Sequence, residues 1–413
     1  MTTDATSVQT HSPNPPRGFA PLIAALTAIG PFSITMYLPA FPDIGTSLGA
    51  SPIEVQQTLP AYLLPFAFMM LWHGSISDTL GRKRVILAGM FLYTLAALIC
   101  LFAPNILVLS IGRVLQGVAA GAGMSVGRAT VMDLLKGAAA QKLMAHISMF
   151  FSLAPALAPM LGSVLVNQFG WRSVFIFLST LGAVLFITVW RILPETLPME
   201  KRQPFAFKPL VHAYKDALLL PEFSYLCLAL ALLINGHMIY VLSAPNFLHA
   251  IADTTFSSFA WLFIAVSIGM LSGSYASSRT AGKLSPDKTI RLGFLVMLLG
   301  CIINLLIGFF SPSGLPQNIL AIPVYSCGMA MIWPSLQILA LEKIPARRGL
   351  ASSLQSAYQV GMNAFTAAVI APFVWHSAKT MALAASGYLF MAALAIMVGR
   401  HYQHVRSARN GQK

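Results

Sequence analysis

Much of the chain's chemistry-bearing character gathers in one run, Gly74-Ser-Ile-Ser-Asp78-Thr-Leu-Gly81-Arg82-Lys83-Arg84. Gly74 and Gly81 suit close backbone approach and a tight turn. Asp78 suits a helix N-terminus, where free N–H groups and the dipole favour an anion. Arg82, Lys83 and Arg84 are placed to pair with acids at neighbouring helix ends, such as Asp133. Ion pairs that form and break in this way make a latch between helices and carry out no catalysis. A second candidate is Leu109-Ser-Ile-Gly-Arg113-Val-Leu-Gln116-Gly117, where a guanidinium stands inside an apolar run. An Arg at the centre of a bilayer costs about 2.5–3.5 kcal/mol on insertion scales and is a functional candidate by default. It would bind substrate oxygens or bias a nearby acid, unless it is a structural Arg held by carbonyls and by Gln56 or Gln57.

The third candidate is His237, one turn before Tyr240 in Ile234-Asn235-Gly236-His237. An imidazole with an unperturbed pKa of about 6.5 exchanges protons readily. The alternative is a hydrogen-bonded structural histidine, or one at the outer interface. None of the 12 acids lies deep within an apolar stretch. Asp43 and Glu54 stand at the ends of such stretches and join His237 as candidate proton sites if water reaches them.

Catalysis finds little support. No HExxH, acidic metal pair or nucleophile–base pair is present, and no Walker A sequence. Gly123-Met-Ser125-Val-Gly127 matches GxSxG, but a nucleophile elbow needs a strand before a sharp turn and this segment reads as helix. Cys100, Cys227, Cys301 and Cys327 have no metal-type spacing. An integral-membrane enzyme is a remote alternative, and no metal or cofactor is expected.

The elements that must position these residues follow from composition. The chain has 413 residues, 57% apolar and 9% charged, against about 25% charged in soluble domains. Charge-free runs of 18 or more residues recur along the chain, and 292–341 is long enough for two spans. Twelve helices of about 20 residues each fit the pattern. A spanning barrel does not, because its strands would alternate in pieces of about 10 residues. Spans are expected at 19–40, 55–77, 85–103, 107–132, 144–167, 172–193, 223–244, 257–278, 289–310, 317–340, 350–375 and 380–400. With the N-terminus inside, 22 of the 26 Lys and Arg fall in cytoplasmic loops or tails and two, Arg172 and Lys379, in outer loops. Arg113 and Arg128 lie within the fourth span. This bias places both termini in the cytoplasm and accounts for the +14 net charge without nucleic acid.

The connection 194–221 is polar and divides the chain near its middle. We therefore expect a tail at 1–18, a six-helix bundle at 19–193, a central loop at 194–221, a second bundle at 222–400 and a tail at 401–413. Tyr37 and Pro42 recur as Tyr240 and Pro245 at an offset of 203 residues, and Gly89 recurs as Gly293 at 204. Parallel repeats related by an axis along the membrane normal would give this pattern.

The Gly74–Arg84 run resembles the loop 2–3 signature of the major facilitator superfamily, and Arg113–Gly117 is similar to that family's second motif. Three further segments resemble the bicyclomycin/chloramphenicol-resistance (Bcr/CflA) drug exporters: Met36-Tyr-Leu-Pro39-Ala-Phe-Pro42, Gly170-Trp171-Arg172-Ser-Val-Phe175, and Pro194-Glu195-Thr196-Leu-Pro198 with Arg202-Gln-Pro-Phe205. Ala154-Pro155-Ala-Leu-Ala-Pro159-Met-Leu-Gly162 resembles the antiporter motif of drug exporters in its Ala-Pro form. The resemblance implies an all-α fold of two pseudo-symmetric six-helix bundles in a bacterial inner membrane, acting as a monomer. It implies export of small drug-like amphiphiles against proton influx. Relatives carry an acid where Thr35 stands here, which weakens proton coupling and strengthens the rival reading of a specific metabolite or siderophore transporter. A midplane cavity between the halves is expected to be lined by Tyr37, Asn235, Tyr240, Asn304, Trp333 and Asn363 and, lacking an acid, to prefer neutral or zwitterionic compounds.

Overall fold

The computed structural model describes residues 16–135, 143–144, 147, 157–251, 256–280 and 283–410. Every regular element among them is helical. In the first part of the chain these are α1 (Phe19–Thr35), α2 (Phe41–Leu48), α3 (Pro52–Leu80), α4 (Arg82–Leu101), α5 (Ile106–Leu134), α6 (Leu157–Phe169) and α7 (Arg172–Ile192). In the second they are α8 (Phe207–Leu218), α9 (Pro221–Leu242), α10 (Ala244–Ile251), α11 (Phe256–Thr280), α12 (Pro286–Phe310), α13 (Ile322–Glu342), α14 (Arg348–Phe365), α15 (Ala371–Val374) and α16 (Ala378–Asn410).

Eleven of the described helical segments are long and apolar enough to cross a membrane. They match eleven of the expected spans. The fifth expected span, 144–167, lies partly outside the described residues, and α6 covers its described end. Helix starts follow local chemistry. Ser51 caps α3 through a capping box with Glu54 and is followed by Pro52, while Asn105 and Ser285 cap α5 and α12. Large apolar side chains such as Phe68, Phe91, Phe310 and Phe390 stay exposed on the outer faces. These faces suit a hydrocarbon solvent in which every backbone group must be satisfied within the helices.

Packing repeats between the two parts of the chain. In the first, α5 packs against both α3 and α4, and α4 against α7; in the second, α13 packs against both α11 and α12, and α16 against α12 and α9. Small residues permit the contacts. A Cβ at Gly117 would stand 2.2 Å from the Tyr62 carbonyl oxygen, and one at Gly123 would stand 2.6 Å from that of Leu26. Among Gly117, Gly121, Gly123 and Gly127, two pairs each spaced by four on α5, only Gly127 lacks a tight neighbour. Across the middle, α3 packs along α14.

Three boundaries differ from expectation. The first span does not stop at residue 40, because a 3-10 turn at Leu38–Ala40 carries it into α2. The central connection holds the amphipathic helix α8, anchored where Phe207 stacks on Trp72 at 5.1 Å and the Tyr214 hydroxyl donates to the Leu71 carbonyl at 2.7 Å. The last helix runs on past 400 to Asn410.

Candidate functional site

Arg82 organises the end of the bundle that bears it. Its Nη1 lies 2.6 Å from Asp78 Oδ1 and 2.5 Å from the Ser77 hydroxyl, and its Nε donates to Asp133 Oδ2 at 3.1 Å. The expected pairing with Asp133 is present. Asp78, however, engages the guanidinium, and it is Glu195 that occupies the N-terminus of α4, accepting from the Arg82 N–H at 2.8 Å and the Leu197 N–H at 3.1 Å. Glu195 also faces Arg202 at 3.7 Å, and Thr196 donates to Asp133 at 3.1 Å. The strip 194–203 is thereby folded onto the α3–α4 turn. Glu195 was absent from the expected latch because its family segment lies more than a hundred residues beyond the turn it caps.

The two glycines of the run differ. Gly81 has φ +103°, and a Cβ there would stand 2.4 Å from Glu195 Oε2. Gly74 has open space around its would-be Cβ, so close approach does not explain it. Of the three basic residues, Lys83 donates to the Trp190 carbonyl at 2.8 Å and Arg84 is exposed, so only Arg82 pairs with acids.

Deeper in the same helices, Arg113 is fully buried. Its guanidinium carbon lies 4.5 Å from the centre of the Tyr37 ring and 4.4 Å from that of Tyr62. Its Nη1 donates to Gln116 Oε1 at 2.9 Å and to the Ser33 carbonyl at 3.2 Å. Ser33 is itself hydrogen-bonded to the Tyr93 hydroxyl. No acid pairs with Arg113 among the described residues, and its Nε and Nη2 have no hydrogen-bond partner there. The π-faces of two tyrosines carry the cation in place of a carboxylate. Gln56 and Gln57, the alternative partners, are engaged elsewhere. Gln56 Nε2 donates to the carbonyls of Leu242 and Ala367 at 3.1 and 3.3 Å, and Gln57 Nε2 donates to that of Ala368 at 3.0 Å. These bonds close a seam between α3 and the second part of the chain, at the end opposite Arg82.

His237 is 1% exposed, and neither ring nitrogen has a hydrogen-bond partner among the described residues. With Tyr240, Asn304 and Tyr325 it lines a cavity of about 10 Å³, roughly the space one water needs. Among the described residues, nothing supplies the hydrogen bond that a structural histidine would make here. Thr35 bonds its own helix, donating to the Pro31 carbonyl at 3.0 Å. Glu54 is exposed and serves as a cap, accepting from the Ser51 N–H and hydroxyl at 2.8 Å each. Asp43 is exposed on α2.

The six expected lining residues are distributed through both halves. Tyr37 bonds Thr58 at 2.8 Å beneath Arg113. Tyr240 accepts from Asn304 Nδ2 at 2.7 Å beside His237. Asn235 accepts from Thr366 at 2.6 Å, where a π-helical turn, Thr366–Ile370, links α14 to α15. Such turns are frequent at functional sites. Trp333 and Asn363 are half-buried. Pro155 lies outside the described residues. Pro159 is buried on α6, and Gly162 sits where a Cβ would be 2.2 Å from the Met36 carbonyl oxygen, so α6 meets the chain just past the end of α1, next to Tyr37.

Comparison with known proteins agrees with this architecture. The solved structure of the POT family transporter PepTSo matches with a TM-score of 0.73 at 15% identity, covering 95% of this chain and 99% of that one. The D-xylose-proton symporter matches with a TM-score of 0.71 at 15% identity, over 91% of this chain and 97% of that one. At such identity the likeness concerns the fold. A Bacillus subtilis (strain 168) protein described as an uncharacterized MFS-type transporter, YdgK, is 31% identical over 81% of this chain and 83% of its own length. The bicyclomycin resistance protein homolog of Haemophilus influenzae is 25% identical over 90% and 94%. The multidrug resistance protein MdtL of Escherichia coli O45:K1 is 26% identical over 91% and 95%. The Major Facilitator Superfamily profile matches residues 23–367. With that match added to the packing, the chain belongs to the Major Facilitator Superfamily of multi-pass membrane transporters.

Proposed function

We propose that this transporter is a proton-coupled exporter of small, neutral or zwitterionic amphiphiles in a bacterial inner membrane, of the bicyclomycin/chloramphenicol-resistance type, with both termini cytoplasmic. The halves 19–193 and 222–400 rock about the midplane as one monomeric unit, joined by the loop 194–221. Relatives with multidrug and bicyclomycin resistance in their names support the substrate class. The observation that carries the coupling is His237. A buried polar side chain with both nitrogens unpartnered is rare unless it has work to do, and the cavity beside it has room for one water to exchange the proton with. Arg113, Gln116 and the tyrosines around them form the polar centre of the other half, where a neutral or zwitterionic oxygen finds donors. The Arg82 cluster latches the cytoplasmic end, and Pro159 and Gly162 set the crossing that moves with Tyr37. A second reading, facilitated transport of one metabolite or siderophore, is favoured by Thr35, because no carboxylate lies deep in a described span.

The purified protein in liposomes with an imposed pH gradient separates the two. Wild type is expected to move a chloramphenicol-like neutral drug against its own gradient and to move ethidium poorly. His237→Ala is expected to keep downhill flux and lose the uphill component. Uphill transport unchanged in the variant moves the proton site to Asp43 or Glu54. Downhill flux alone in wild type overturns antiport in favour of the second reading.

A further inference from the structure

Although Gly81 alone separates α3 from α4, both helices pack chiefly on α5 and little on each other. A lateral crevice of about 380 Å³ is left between them near the Arg82 end. Its walls include Ile76 and Leu80 on α3 and Ala88 and Leu92 on α4, with Ala119 of α5 beneath. All of these belong to the first half, so the crevice lies apart from the seam between the halves. Arg84 stands at its mouth, exposed and without an ion pair among the described residues, because Arg82 has taken both nearby acids. From the Arg84 mouth the crevice's α3 wall runs from Leu80 through Ile76 and His73 to Met69, facing Ala88 and Leu92 on α4. At about 1.5 Å per residue that wall runs about 16 Å, close to the hydrocarbon depth of one leaflet, about 15 Å. A cation heads an apolar track of that length, an order that mirrors an amphiphile with an anionic head.

We propose that this crevice binds one anionic phospholipid, its phosphate on Arg84 and one acyl chain along the α3–α4 walls. A planar guanidinium forms paired charge-assisted hydrogen bonds with phosphate, and the open crevice of about 380 Å³ offers its apolar walls to the chain. The lipid would hold α3, which carries the seam glutamines, against α4, which carries the latch arginine.

Native mass spectrometry of the intact, delipidated protein tests this, using phosphatidylglycerol and phosphatidylcholine with identical chains. Wild type is expected to retain one phosphatidylglycerol in preference to phosphatidylcholine. Arg84→Gln is expected to weaken that retention about fivefold, the weight of one basic side chain against an anionic lipid surface. Ala88→Phe, filling the crevice from an exposed position, is expected to weaken it independently of charge. Arg191→Gln removes an exposed cation at the same end of α7 and is expected to leave retention unchanged. Equal retention of the two lipids overturns the proposal, as does an equal effect of Arg84→Gln and Arg191→Gln. Binding that depends on Ala88 but ignores the headgroup overturns it too, and points to an uncharged amphiphile as the occupant.

Discussion

Arg113→Lys is expected to lower transport about 100-fold in proteoliposomes while leaving the protein in the membrane. The substitution keeps the charge and removes the plane. Each ring contact to a desolvated guanidinium is worth about 2 kcal/mol, and Arg113 has two, at 4.5 and 4.4 Å. An ammonium is compact and cannot lie flat between two rings while donating to Gln116 and the Ser33 carbonyl. Losing about 2.7 kcal/mol of that arrangement corresponds to two decades in rate. Arg113→Leu sharpens the result, because it also removes the insertion cost of about 2.5–3.5 kcal/mol for an embedded Arg. Its melting temperature is expected to hold or rise while transport is lost. If either variant transports like wild type, the Tyr37–Arg113–Tyr62 stack is merely structural.

Gly81→Val is expected to give the largest loss of stability among single changes at the latch. A side chain at φ +103° is strained, and its Cβ would fall 2.4 Å from Glu195 Oε2 and 2.7 Å from Arg202 Nη2. Backbone in this glycine-favouring region, φ 103° with ψ 149°, costs about 1–3 kcal/mol for an L-residue, and losing a cap costs about 1 kcal/mol more. A total near 3 kcal/mol is expected as a lowered melting temperature. Displacing Glu195 also frees the strip 194–203, so trypsin is expected to cut after Arg202 in the variant and not in wild type. Glu195→Ala removes the cap without straining the backbone. It should reproduce the cleavage with a smaller drop in melting temperature. Resistance to trypsin in both variants would show that the strip is held by other contacts.

The spans were legible because bilayer solvation enforces long charge-free runs; their starts, set by caps such as Ser51 and Asn105, fall at Pro52 and Ile106, ahead of the expected 55 and 107. The repeat was legible in Tyr37 and Tyr240, and the fold explains why. Each hydroxyl makes a side-chain hydrogen bond, to Thr58 and from Asn304, and each ring meets a phenylalanine edge-on, Phe41 at 5.0 Å and Phe247 at 5.5 Å. What the sequence hid was non-local. Glu195 reaches a helix start 113 positions earlier. Helix α8 owes its place to stacking on Trp72, a contact with no periodic signature. The failure of Gly74 to make a close contact shows that motif membership and packing role are separate properties. Arg113 was visible as an oddity, but its aromatic partners come from two other helices.

The seam between the halves is encoded on one side only. Gln56 and Gln57 supply the donors, while Leu242, Ala367 and Ala368 contribute main-chain oxygens that any residue at those positions would also present. The second half is therefore tolerant of mutational drift as far as these three hydrogen bonds go, and the first half alone encodes their donors. Two parts with similar helix packing hold their shared boundary unequally. One can vary in sequence without loosening the closure, and the other cannot.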